Sequence, residues 1–299
     1  MGCGRSLGLT EWPEPPGGKA GLYSSLVMLP HTVFALPFAL TAVVLASYEN
    51  SVTVTEILLI VAAFTGARSA ALGFNRLIDH RVDARNPRTQ GRPLPAGRLS
   101  RTEAWLFVAG SITVFELAAW LLGPLPFLLS PLALAVVLLY SVTKFFTAAS
   151  HLVLGLALSI APLGAWIAVT GSLGAGVVVL AGAVVCWVAG FDVIYSLQDE
   201  RFDRAEGLHS IPARLGCKGA LWVSRALHVA AAALLAWVGA FFPVGAFYWL
   251  AWAAVASMLV YEHRLVSPED ISRVDAAFFK VNGMVSVLFF ALNLLDRVI

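Results

Sequence analysis

Apolar runs, separated by polar breaks, recur along the whole chain. They lie at about 24–47, 54–74, 103–121, 126–141, 150–170, 174–196, 218–241, 243–262 and 274–296. Most have the length that crosses a bilayer as a helix, roughly 17–25 residues. The fourth is shorter and is bounded by Pro126 and Pro131. The breaks at 48–51, 122–126, 170–174 and 241–243 hold no Lys or Arg, whereas the intervening breaks carry the basic residues, and the two kinds alternate. Excess Lys and Arg marks the cytoplasmic side. The pattern therefore predicts an all-α, polytopic membrane bundle of about nine transmembrane helices, with the N-terminus inside and the C-terminus outside. Residues 1–21, rich in Gly and Pro, are expected to form a flexible cytoplasmic segment, and 22–299 a single membrane domain.

Composition sharpens this picture. The chain is 59% hydrophobic and only 13% charged, against about 25% charged in a soluble domain. The net charge of +2 argues against a nucleic-acid partner. The three cysteines form no CxxC pair and no zinc-site spacing. Two charges, Arg68 and Lys280, fall inside apolar runs. Such charges either snorkel to the interface or face a cavity or partner. Arg68 stands seven residues before Asn75, on the same helix face, and reads as a cavity residue. His31, near the start of the first run, reads as a satisfied polar group of the bundle rather than a base.

In so apolar a chain, grouped carboxylates are conspicuous. One cluster follows the second run: Asn75, Asp79 and Asp83, at i, i+4 and i+8. On a helix they share one face, drifting by roughly 40° per step. The other follows the sixth run: Asp192, Asp199 and Asp203, at i, i+7 and i+11. On a continuous helix that spacing brings them within roughly 20° of a common line. Two facing stripes of oxygen ligands suit a hard divalent cation, and Mg²⁺ is usually held by a few carboxylates together with substrate phosphates. The pair of clusters predicts a Mg²⁺–diphosphate clamp at a membrane surface.

Both clusters, the loop from Arg88 to Arg98, the segment from Tyr140 to Lys144 and the Tyr195–Asp199 stretch resemble the UbiA superfamily of intramembrane prenyltransferases. The stretch from His31 to Phe38 is similar to its 4-hydroxybenzoate polyprenyltransferase branch and to the menaquinone (futalosine-route) relatives. The resemblance implies a helical bundle around a central cavity that opens to lipid, in the inner membrane. It implies Mg²⁺-dependent transfer of a polyprenyl chain from polyprenyl diphosphate to an aromatic acid acceptor in quinone biosynthesis. It assigns Asn75, Asp79, Asp83, Asp199 and Asp203 to the metal, and Arg88 and Lys144 to the diphosphate; Arg68, by its place on the cavity wall, would hold an anion, either the diphosphate or the acceptor's carboxylate. Asp192 would orient the acceptor or take its proton; as the plainer alternative it is a core carboxylate paired with Arg68 or Lys144. Tyr195 would face the cation with its ring, or simply pack.

The chain departs from the family's pattern at two positions. Phe145 follows Lys144 where relatives commonly carry Arg, and Arg76 follows Asn75 where many carry Asp. A rival reading from another class is a cation-coupled transporter. Transporters tend to place such carboxylates at the bilayer midplane on broken helices, whereas here they sit at run ends beside basic loops.

Overall fold

The computed structural model describes residues 18–26 and 34–299. His31 and the start of the first apolar run lie outside the described residues. Among those described, every regular element is a helix. In chain order they are α1 (Lys19–Leu26), α2 (Leu36–Ala46), α3 (Val54–Asp83), α4 (Arg101–Leu122), α5 (Pro124–Thr143), α6 (Ser150–Thr170), α7 (Ala175–Ser196), α8 (Glu200–Glu206), α9 (Ile211–Val238), α10 (Ala246–Glu262) and α11 (Asn282–Val298). A 3₁₀ turn, Leu197–Asp199, joins α7 to α8, and a π turn, Ala276–Val281, opens α11.

Local chemistry sets the helix starts. α3 and α4 begin with capping boxes, Thr53 with Glu56 and Ser100 with Glu103, in which side chain and backbone exchange hydrogen bonds. Ser210 caps α9 by accepting from the Ala213 N–H. Pro124 stands at the first position of α5, where its missing N–H costs nothing. α3, at 30 residues, extends about 45 Å. That exceeds a hydrocarbon core of about 30 Å and carries its last turns, with Asp79 and Asp83, toward the basic loops.

Among the described residues, seven helices are long and apolar enough to cross a membrane. At the places of the first and eighth runs stand two shorter apolar helices, α2 and α10. The second apolar run ends at 74, and α3 continues through the acidic cluster to Asp83, as the helical spacing of Asn75, Asp79 and Asp83 implies, because nothing in Asn75–Asp83 breaks a helix. The seventh run was expected to start at 218, but α9 begins at Ile211 and kinks at Gly216, whose φ is +69°. That left-handed conformation is accessible to Gly with little strain.

α7 is the most buried span. Its Val184, Trp187, Val188 and Phe191 pack with Phe38 of α2, Tyr248 and Val255 of α10 and Phe289 of α11. α3 and α4 approach closely because glycine lines the contact. A Cβ at Gly66 would stand 2.8 Å from both Ser111 O and Phe115 N, so small residues here let backbones meet. Trp105, Trp120, Trp237 and Trp249 and many leucines are exposed on the bundle exterior, as a lipid-facing surface requires. The chain is a multi-pass membrane protein.

Candidate active site

A cavity of about 580 Å³ opens inside the bundle between α3, α5, α6 and α7. It has two chemically distinct ends. One is lined by Ile60, Ala63, Phe64, Leu129, Ala133 and their neighbours. The other gathers ten of the residues singled out from the sequence, Arg68, Asn75, Asp79, Asp83, Arg88, Lys144, Asp192, Tyr195, Asp199 and Asp203; Lys280 is not among the lining residues.

Asn75, Asp79 and Asp83 arrive together because α3 is unbroken through all three. The second cluster is assembled differently from expectation. α7 ends at Ser196, a 3₁₀ turn carries Asp199, and Asp203 belongs to α8. The continuous-helix register expected for Asp192, Asp199 and Asp203 therefore does not hold; the change of helix type turns the three toward the same cavity instead.

Asp79, Asp83, Asp192 and Asp199 each have their own partner. Lys144 Nζ lies 2.6 Å from Asp79 Oδ2. Arg92 Nη1 donates to both oxygens of Asp83 at 2.7 Å. Arg88 donates through Nε to Asp199 Oδ1 at 3.0 Å, through Nη2 to Oδ2, and through Nη1 to Tyr195 OH at 3.0 Å. Asn86 Nδ2 also donates to Asp199, at 3.0 Å. Asp203, on α8, lines the same end of the cavity. The expectation that Asp192, if structural, pairs with Arg68 or Lys144 is not met: its Oδ2 lies 2.7 Å from His151 Nδ1. Because His151 Nε2 accepts the Ile211 N–H, its Nδ1 carries the hydrogen and donates to Asp192. Burial opposes the charge on Arg88, but Asp199 and Tyr195 outweigh it and hold its pKa above the ordinary guanidinium value.

One oxygen stands out. Asp79 is 4% exposed, and its Oδ1 has no hydrogen-bond partner. A buried carboxylate oxygen left open toward a cavity is costly unless a ligand meets it. Arg68 Nε is likewise buried without a partner. Among the described residues no three His, Cys, Asp or Glu side chains form a closed metal cage. Mg²⁺ does not need one, since it binds through one or two carboxylates and substrate phosphates. The donors present, all oxygen and facing an apolar chamber, fit that ion.

Several cavity residues carried no sequence signal of their role. Arg76 read as a departure, yet it lines the same polar end. His151, at the start of α6, has no motif around it, and only the fold brings it to Asp192. Arg92, expected with Arg88 and Arg98 in a loop over the diphosphate, instead holds Asp83, a pairing that the sequence did not announce. Phe34, Phe191 and Phe278 form an aromatic wall beside Tyr195 that no short-range spacing announces.

Comparisons with known proteins agree with this architecture. A model of the UbiA prenyltransferase family matches residues 35–289. A 4-hydroxybenzoate octaprenyltransferase of Chromohalobacter salexigens is 30% identical over 222 residues, 74% of either chain. One from Vibrio parahaemolyticus is 31% identical over 73% of this chain and 77% of its own. The apo structure of a UbiA homologue from Aeropyrum pernix K1 superposes with a TM-score of 0.81 at 36% identity, covering 89% of this chain and 98% of that one. A UbiA homologue from Archaeoglobus fulgidus, bound to GPP and Mg²⁺, shares the fold at a TM-score of 0.75 and 19% identity, covering 93% and all of the two chains. By its sequence, its helical architecture and these likenesses, the chain belongs to the UbiA prenyltransferase family and is a transferase.

Proposed function

We propose that the protein moves a polyprenyl group from polyprenyl diphosphate to a ring carbon of an aromatic acceptor, 4-hydroxybenzoate or a similar aromatic acid, at the cytoplasmic face of the inner membrane. The observation that carries this reading is the two-ended cavity. Carboxylates and guanidinium groups crowd one end, with Asp79 Oδ1 open, and apolar side chains line the other.

In the reaction the C1–O bond of the donor breaks, diphosphate leaves, a carbon–carbon bond forms to the ring, and a ring proton departs. Bound Mg²⁺, held by Asn75, Asp79, Asp83, Asp199 and Asp203, would supply positive charge to the leaving diphosphate. Arg88, Lys144 and Arg68 bind its oxygens and stabilise the negative charge that builds up there. The apolar end takes the prenyl chain and keeps water from the allylic carbon. Tyr195, beside Arg88, offers its ring to the cation. Asp192, oriented by His151, takes the acceptor's proton.

Purified protein with Mg²⁺, a polyprenyl diphosphate and a panel including 4-hydroxybenzoate and a dihydroxynaphthoate tests the reading by mass spectrometry. The expected product is one acceptor carrying a polyprenyl group in place of a ring hydrogen. Recovery of every acceptor unchanged would overturn it.

The pairing of Asp79, Asp83 and Asp199 with Lys144, Arg92 and Arg88 has a binding consequence. Mg²⁺ alone must compete with those cations, and diphosphate alone must compete with the carboxylates. Added together, each ligand takes the partners that the other leaves. Pyrophosphate affinity, measured calorimetrically, is expected to rise at least about tenfold with Mg²⁺ present, about 1.4 kcal/mol of coupling. Equal affinities with and without Mg²⁺ would contradict the shared clamp.

A further inference from the structure

We propose that Phe278 seals the cavity wall against water beside Tyr195, and that Asn282, outside the cavity, is the positioning residue that holds it there. The inference rests on the prenyl-transfer reading above. Phe278 stacks on Tyr195 with ring centroids 4.1 Å apart and planes at 29°. It meets Phe191 edge-on at 5.2 Å and Phe34 at 5.5 Å. All four rings line the cavity at its polar end, where the C1–O bond of the donor would break. A wall of aromatic rings stabilises a passing cation, and its three phenylalanines supply no oxygen to capture it.

Phe278 stands there because the chain takes a π turn at Ala276–Val281 before α11. Such turns are rare and recur at functional sites. The Asn282 N–H goes to Phe279 O, not to Phe278 O as a regular α-helix would have it. The Asn282 side chain fills the gap. Its Nδ2 lies 3.1 Å from Ala277 O and 3.2 Å from Phe278 O, and 2.9 Å from Glu262 Oε1. Its Oδ1 accepts from Trp187 Nε1 at 2.7 Å, and Trp187 in turn packs edge-on against Phe191 at 5.1 Å. One fully buried carboxamide thus fastens α7, α10 and the turn to the back of the aromatic wall. An apolar side chain would occupy the same place without the desolvation cost of a buried amide and carboxylate. It would not satisfy the carbonyls that the π turn releases.

The experiment reads how the cation partitions. Prenylated 4-hydroxybenzoate reports capture by the ring. Free polyprenol reports capture by water, whose oxygen joins the allylic carbon as a proton leaves. With Mg²⁺ and polyprenyl diphosphate, wild type and Phe278→Tyr are expected to give chiefly ring product. Phe278→Leu and Asn282→Ala are expected to raise the polyprenol-to-product ratio about tenfold. The double variant should match Phe278→Leu, since both changes act through one ring. A merely structural Asn282 would lower both products in parallel and leave the ratio unchanged, and that result, or an unchanged ratio in Phe278→Leu, would overturn the proposal. Should Asn282→Ala fail to fold, Trp187→Phe removes the N–H that orients the amide, together with part of a ring packed on Phe38 and Phe191, and should shift the ratio in the same direction. A wild type that makes neither product would instead refute the transfer reading itself.

Discussion

Asp79→Asn is expected to lower turnover by about three orders of magnitude, roughly 4 kcal/mol of transition-state stabilisation, while the protein remains folded. The substitution keeps the shape of a side chain that is 4% exposed. It replaces one carboxylate oxygen with an amide nitrogen that cannot hold a cation, and removes the negative charge from both. Oδ2 meets Lys144 at 2.6 Å and Oδ1 meets nothing. A purely structural carboxylate would have both oxygens satisfied, and its loss would appear first as a lower melting temperature. On the proposed function the open oxygen meets the ligand, so the loss should appear in kcat/KM for polyprenyl diphosphate and in the Mg²⁺ dependence of turnover. Purified Asp79→Asn protein that melts like wild type yet retains more than about a tenth of its activity would remove Asp79 from the clamp. Asp79→Ala is the poorer probe, because it also opens a void and leaves Lys144 without any oxygen to bond.

The first acidic cluster was legible because one helix carries it. Polar residues recur every four positions from Asn75 to Asp83, and nothing between them ends α3. The second was legible as a set of residues but not as a geometry: the spacing of Asp192, Asp199 and Asp203 assumes one helix, and the chain changes helix type at Leu197 and again at Glu200. The apolar runs foretold an all-helical bundle. Their ends were blurred where an amphipathic stretch continued a helix, as at Asp83 and Ile211. What stayed hidden is what depends on neighbours across the bundle. His151 finds Asp192 from a different helix, and Asn282 finds Glu262 and Trp187 from two others. Arg76 read as a lost carboxylate because its position along the chain carries no information about the cavity it faces.

Arg88→Ala is expected to cost about as much as Asp79→Asn, with a different signature. Arg88 reaches two groups at once, donating to both oxygens of Asp199 and to Tyr195 OH, and it lines the polar end of the cavity. A planar fork of fixed geometry can exchange a carboxylate for a phosphate without changing shape. That exchange would let Asp199 turn to the metal as the diphosphate arrives. Removing the guanidinium leaves Asp199 with Asn86 as its remaining neutral donor and takes a positive charge from the leaving group. A drop of about a thousandfold in kcat, near 4 kcal/mol, is expected, with a smaller change in KM because Lys144 and Arg68 still meet the anion. Arg88→Lys should recover part of the loss, since a point charge restores attraction but not the two-pronged grip. The split between kcat and KM separates this role from simple attraction of an anion. If Arg88→Ala raised KM and left kcat unchanged, Arg88 would be part of an entry funnel, and stabilisation of the departing diphosphate would fall to Lys144 and Arg68.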